Sequence, residues 1–368
     1  MKSFYRLQIL VAIFALSICF VARAQSPVSE TQDQRESANA DRLERPLQAP
    51  KLKTADEILD MLKARAKAKL EKRRIELLRK IKLSAGIGHG IESNPSNDSL
   101  NKGDSFSTED FSFSWAPTFS QKLSADIGYT FSGQNYYEQK SLNTETHISN
   151  ASFKIYPFDS GRVILEPGFN YTWTVYPLAY SSSFEEPKEF IKFTHYIAKM
   201  WSYGGKYEFS HKHYNKTAAR DLSGNDLDLD REDDKNSVEL WHKTYIGRYT
   251  MKLKVKGSTV TSNDQYQKYQ DYDSLRYFVT FSRTFLKDDK LYVSFTPDYE
   301  SKGYNHRVAS ETNTARWDKI WNYQLDAYYT LTKNVSLSYG FTYRHSASNA
   351  TSGDFSDFTN KIGISYSF

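Results

Sequence analysis

From Ile81 to Phe368 apolar and polar residues alternate with a period of two. That period belongs to an extended strand with one apolar and one wet face, because successive side chains point to opposite sides of the backbone. In DFSFSWAPTF, residues Phe111, Phe113, Trp115, Pro117 and Phe119 share one face, and Asp110, Ser112, Ser114, Ala116 and Thr118 share the other. YTMKLKVKG sets Tyr249, Met251, Leu253 and Val255 against Thr250, Lys252, Lys254 and Lys256. NVSLSYGFTYR sets Val335, Leu337, Tyr339, Phe341 and Tyr343 against Ser336, Ser338, Gly340, Thr342 and Arg344. Mean hydropathy is only −0.67, although Tyr and Phe number 27 and 23. The apolar residues are therefore spread one by one along strand faces rather than gathered into runs.

Fourteen segments carry the alternation, near 82–92, 107–119, 124–136, 145–157, 162–178, 189–201, 205–214, 235–246, 248–259, 271–285, 290–302, 314–331, 334–346 and 355–368. Most exceed the usual strand length of about 5–6 residues. They reach the ~9–11 residues that a tilted membrane strand needs. Short turns (SQKLS, FDSGR, SYGG, IGR, LKDDK, LTKN) alternate with polar loops at 93–106, 137–144, 179–188, 215–234, 260–270, 303–313 and 347–354. The expected fold is all-β: a transmembrane antiparallel up-and-down β-barrel of about 14 strands, within a range of 12–16, over residues 81–368.

Ahead of it, 1–24 reads as a signal peptide, with Lys2 and Arg6 before an apolar core and Ala22-Arg23-Ala24 as the cleavage site. The Pro-, Gln- and Ser-containing stretch 25–53 reads as a flexible periplasmic linker. Residues 54–80 predict a charged α-helix: Thr54 and Glu57 form a capping box, acids come early and bases late. That helix is a candidate docking element for a periplasmic protein. The one cysteine, Cys19, lies in the leader, which excludes a disulfide or thiolate metal centre from the expected mature chain. A net charge of +5 is too small for this length to argue for nucleic acid.

The stretch KIGISYSF resembles the C-terminal recognition signal of bacterial outer-membrane β-barrel proteins, porin-like ones among them. Lys361 and Gly363 occupy its polar and glycine positions, and Tyr366 and Phe368 its aromatic ones. The resemblance implies insertion by the barrel assembly machinery into the outer membrane of a Gram-negative bacterium. It also implies an N-terminal segment in the periplasm and contact with outer-membrane lipid and lipopolysaccharide.

Projecting the strands gives two sets of candidate pore-lining charges. A basic wall comprises Lys206, Lys212, Lys243, Arg248, Lys252, Lys254, Lys256 and Arg276. An acidic wall comprises Asp110, Asp126, Asp298, Glu300, Asp318 and Asp326. Such walls suit a channel that passes hydrophilic solutes or a secreted polymer. The alternative is an accessory component of a secretion or surface-assembly system, docked through the helix.

Other clusters point less far. Asp226, Asp228 and Asp230 copy the start of a calcium loop, but Arg231 and Ser237 stand where that loop needs Gly and Glu. His211 and His213 share a face without an evident third ligand. Some outer-membrane lipid hydrolases resemble the YRHSAS stretch, with a His-x-Ser pair facing lipid. Here Ser346 and Ser348 fall on the opposite face from His345, so an enzyme is not expected. No nucleotide loop or zinc spacing occurs, and no cofactor is expected.

Overall fold

The computed structural model describes residues 81–96, 102–158, 161–198, 200–266, 270–309 and 311–368. The leader, linker and helix expected over 1–80 lie outside them. The described chain forms strands β1 (Ile81–Glu92), β2 (Asp104–Trp115), β3 (Leu123–Tyr136), β4 (Thr144–Ile155), β5 (Val163–Val175), β6 (Phe184–Ala198) and β7 (Trp201–Arg220). They continue as β8 (Asp226–Ile246), β9 (Tyr249–Ser262), β10 (Tyr272–Phe285), β11 (Leu291–Ala309), β12 (Thr314–Thr330), β13 (Val335–Ser348) and β14 (Phe355–Ser367). A short piece, Thr118–Ser120, extends β2 beyond Pro117, which lacks the N–H needed to keep the ladder unbroken.

Every strand pairs antiparallel with the next, and β14 returns to pair with β1, Gly88 opposite Gly363. The sheet is thus a closed 14-stranded barrel without a free edge. The short connections lie at one end, hereafter the turn end, and the remaining loops at the other. Two loops expected from the sequence prove to be strand. The stretch 215–234 is mostly the upper part of β7 and β8, joined only by residues 221–225, and β11 runs on to Ala309. Their polar composition reads as loop, yet cross-strand pairing continues, as between Arg220 and Asp226.

This β7–β8 hairpin outlasts the ~9–11 residues of a membrane crossing, since its strands have 20 and 21 residues. Its tip is tied down locally. Gly224 turns with a φ of 89°, and a side chain there would run into the Tyr266 ring. The Asp221 carboxylate accepts the amide of Asn225 and the backbone N–H groups of Asn225 and Ser223, which hold its carboxyl below the usual range. Arg220 donates to Asp264 at 2.7 Å and fastens the hairpin to the β9–β10 loop.

Burial is inverted relative to a water-soluble protein. Ile87 on β1 is 65% exposed and Leu253 on β9 is 42% exposed, both on the outer face. The buried residues are largely polar and inward, Ser202, Ser210, Ser237, Ser258, Asp233 and Asp318 among them. A continuous exposed apolar surface of this kind marks contact with membrane or protein. Aromatic residues band it. Nearer the loop end, the His147 ring stacks on Trp173 with centroids 5.1 Å apart, and His345 stacks on Trp321 at 5.6 Å. Nearer the turn end stand Trp201, Tyr249, Phe285, Tyr329 and Tyr366. On β10, Tyr277 and Phe285 mark the two bands eight residues apart. At ~3.3 Å per residue and a tilt of ~40° that spans roughly 20 Å of height, close to the ~25 Å apolar band of membrane barrels.

The β1–β14 seam is tight on its inner side because of glycine. A side chain at Gly90 would meet the Phe106 ring at 2.4 Å and the Asn360 carbonyl at 2.6 Å, and Phe106 is 2% exposed. Gly257 on β9 has nothing within 4 Å of the same position. Gly90→Ala should therefore destabilise the refolded barrel by ~1–3 kcal/mol. Gly257→Ala should stay within about 0.5 kcal/mol of the parent. Urea titration followed by the heat-modifiable gel shift checks both.

Candidate functional site

The inner faces of β6–β9 carry the densest charge among the described residues. Lys188 and Lys192 come from β6, Lys206 and Lys212 from β7, Lys235 and Lys243 from β8, and Lys252, Lys254 and Lys256 from β9. Register brings them together: Lys192 opposes Lys206, Lys206 opposes Glu239, and Lys243 opposes Lys252. Like charges at opposed positions repel, so this face needs anions or water between its ammonium groups.

Part of that need is met internally. Glu208 sits between Lys206, to which it is hydrogen-bonded, and Lys256 at 3.5 Å. Glu239 pairs with Lys254 at 3.2 Å, Glu186 with Lys188 at 2.9 Å and Glu166 with Lys192 at 2.8 Å. Lys212, Lys235, Lys243 and Lys252 have no carboxylate within 4 Å among the described residues, although Glu186 and Asp233 act on Lys212, Glu186 and Glu300 on Lys235, and Glu239 on Lys252 from farther away. Lys212 lies 3.6 Å from the centre of the Phe184 ring, Lys243 4.5 Å from that of Tyr245 and Lys252 5.8 Å from that of Trp241. Aromatic faces hold these cations in place without neutralising them.

Of the basic residues expected from the sequence, Lys206, Lys212, Lys243, Lys252, Lys254 and Lys256 lie on this inner face, and Arg276 points inward from β10 beside it. Arg248 does not. It occupies the two-residue turn between β8 and β9, exposed, with its Nε 3.8 Å from Asp289. A period-two projection carried one position too far placed it on the strand. Lys188, Lys192 and Lys235 were missed, together with Glu166, Glu186 and Asp233. For Lys235 the signal was present, because it keeps the phase of Lys243 along β8.

Asp110, Asp126, Asp298, Glu300, Asp318 and Asp326 also point inward, but five of the six carry a cation. Asp126 is bonded to Lys154, Asp298 to Arg276 at 2.9 Å and Asp318 to Arg316 at 2.9 Å. Asp110 lies 3.4 Å from Lys361 and Glu300 3.9 Å from Lys302. Asp326 accepts from the Gln324 amide at 2.9 Å. The opposite side is therefore mostly paired rather than an uncompensated acidic wall, with Asp326 the one of the six that keeps no cation among the described residues.

Asp226, Asp228 and Asp230 stand in β8 rather than in a loop. No group of three or more His, Cys, Asp or Glu suited to a metal occurs among the described residues. Ser346 and Ser348 face inward, away from His345, as their spacing requires. The His345 ring instead meets Ser356 across the strand pair at 2.9 Å, with no carboxylate to orient it among the described residues. Gly363 and Lys361 lie on the inner face of the seam, and the Tyr366 and Phe368 rings meet edge to face at 4.6 Å outside it.

No protein-family profile and no curated protein matches this sequence. Solved structures similar to it include the anion-selective porin from Comamonas acidovorans, at 9% identity and a TM-score of 0.43, covering 78% of this chain and 98% of that one. Pseudomonas aeruginosa OpdQ is similar at 9% identity and a TM-score of 0.39, with the same coverages. CdiB from Acinetobacter baumannii is similar at 8% identity and a TM-score of 0.45, and here the chain spans 60% of the length of its relative.

The pairing pattern makes opposite predictions for two neighbouring charges. Glu208→Gln leaves Lys206 and Lys256 facing each other and should cost about 1–3 kcal/mol. Lys243→Gln relieves an opposed like pair and should be neutral, or stabilising by up to ~1 kcal/mol. Urea unfolding of the two variants against the parent distinguishes them.

Proposed function

We propose that this protein is an outer-membrane pore that admits small hydrophilic solutes and favours anions. The observation that carries the proposal is the inner wall of β6–β9, where Lys212, Lys235, Lys243 and Lys252 face the lumen with no carboxylate in ion-pair contact among the described residues. Fourteen strands exceed the eight whose interior is filled by side chains and approach the 16–18 of open channels. The inner face is correspondingly rich in Ser, Thr, Asn and Gly, which hydrogen-bond water or leave room for it. The apolar outer face with its two aromatic bands supports a membrane setting, since a closed barrel is the one way for strands to satisfy their backbone in lipid.

In this reading a solute moves along a wet path and meets one wall of fixed positive charge and one whose carboxylates are mostly held in ion pairs. Passage needs no catalytic group. Each unpaired lysine attracts an anion ~8 Å away by about 0.5 kcal/mol in water, roughly a factor of two in local occupancy. Four such groups bias permeation without binding so strongly that exit becomes slow. A role for residues 54–80 in docking a periplasmic protein, or in a secretion assembly, rests on residues outside those described.

Purified protein in planar bilayers should conduct, with an anion preference read from the reversal potential in a salt gradient. The double variant Lys243→Gln/Lys252→Gln should lower the anion-to-cation permeability ratio by up to about sixteenfold, since each charge raises anion occupancy and lowers cation occupancy by a factor of two. Absence of conductance, or a ratio unchanged in the variant, contradicts the proposal.

A further inference from the structure

The uncompensated lysines fall into two groups, and the one nearer the loop end stands in a recess. Lys243 and Lys252 oppose each other near the turn end on the open wall. Lys212 and Lys235 instead line a cavity of about 260 Å³ in the wall, together with Tyr214 and Tyr272. Arg231 and Asp233, in the same lining, form a bidentate pair, neutral as a unit. Glu186, also in the lining, is held by Lys188 at 2.9 Å. The recess therefore keeps a surplus of two positive charges, from Lys212 and Lys235.

Its other features select among anions. Lys212 is fixed against Phe184, with its Nζ 3.6 Å from the ring centre, so its ammonium is presented in one place rather than swept through the lumen. Tyr214 is held between the Lys212 and Arg231 cations, each 4.4 Å from its ring centre. Tyr272 packs on Tyr304 at 5.6 Å and takes Lys302 over its ring at 5.1 Å. Such held rings offer a ligand a hydrophobic edge and a hydroxyl at little entropic cost. Ser210 and the Asp233 and Glu186 carboxylates add hydrogen-bonding groups to the same lining. An inorganic ion would use the two ammoniums and leave the rest idle. A neutral sugar would use the hydroxyls and carboxylates and leave two half-buried ammonium groups without an anion.

We infer that this recess is a binding site for a carboxylated monosaccharide, a sugar acid of the hexuronate class, whose carboxylate sits between Lys212 and Lys235 and whose hydroxyls meet the tyrosines and the lining carboxylates. The inference rests on the anion-selective pore reading and gives that pore a loading site near the loop end. A site of this kind raises the local concentration of its solute at the mouth while Lys243 and Lys252 on the open wall carry it onward.

Binding and conduction are measured separately. Intrinsic fluorescence titration of the full chain in detergent micelles, with glucuronate, glucose and inorganic phosphate as probes, reads the recess whether or not the protein conducts. Saturable glucuronate binding, at least tenfold tighter than either glucose or phosphate, is expected. Lys212→Gln/Lys235→Gln should weaken it at least tenfold, while Lys243→Gln/Lys252→Gln, on the same wall outside the recess, should leave it unchanged. Glucuronate binding no tighter than that of phosphate or glucose, or equal loss in both double variants, overturns the assignment. In bilayers, glucuronate added at the loop side should interrupt the parent current and not that of Lys212→Gln/Lys235→Gln. Conduction without glucuronate binding overturns the recess and leaves the pore; binding without conduction overturns the pore and leaves the recess.

Discussion

The structure depends on one closure, the antiparallel pairing of β14 with β1. A sheet that presents Ile87, Leu253 and Ile362 to its surroundings cannot expose a row of unpaired N–H and C=O groups to them as well. Pairing from Ser84 with Ser367 through Glu92 with Thr359 removes both edges at once. The glycines of β1 and Gly363 of β14 let the two strands meet with Phe106 packed against their inner side. Once the sheet is closed, the alternation of side chains divides the chain into an apolar exterior and a polar interior, and every later property is a consequence of that division.

Closure also determines the electrostatics. On a concave wall, inward side chains from strands two apart come within reach across the one between them, so Glu208 of β7 meets Lys256 of β9 and Lys361 of β14 meets Asp110 of β2. These two pairs add to the many within one strand, such as Lys188 with Glu186, and between neighbouring strands, such as Arg276 with Asp298, that neutralise most of the interior. What remains is a short list of lysines on adjoining strands, and their surplus rather than the total charge gives the lumen its sign. The same arrangement explains why a chain with a net charge of only +5 can present a strongly basic face.

The period of two made the strand number and the assignment of faces legible from sequence, because in a barrel every strand has one apolar and one wet side. Strand ends were less legible. Asp226, Asp228 and Asp230 look like a solvated loop by composition, yet they alternate with Leu227 and Leu229 and continue β8. The inward position of Lys254 and Lys256 could be read, but their pairing with Glu239 and Glu208 could not. Partnership depends on the register between strands, which a shift of one residue would invert. The recess was hidden for the same reason: Lys212, Lys235 and Tyr272 come from three strands and are neighbours only once those strands pair in register. Ser356, which meets His345, was likewise out of reach of a search confined to residues near His345 in sequence.

The central claim is that β9 separates lipid from a water-filled basic interior residue by residue. Single cysteines placed in turn from Thr250 to Val255, in a chain with Cys19 replaced, test it directly in native membranes. Positions 250, 252 and 254 should react with a membrane-impermeant thiol reagent, and a nitroxide at 251, 253 and 255 should show high oxygen and low polar-relaxant accessibility. A strict two-residue alternation of the two signals is the predicted result, and uniform reactivity along the strand would contradict the account.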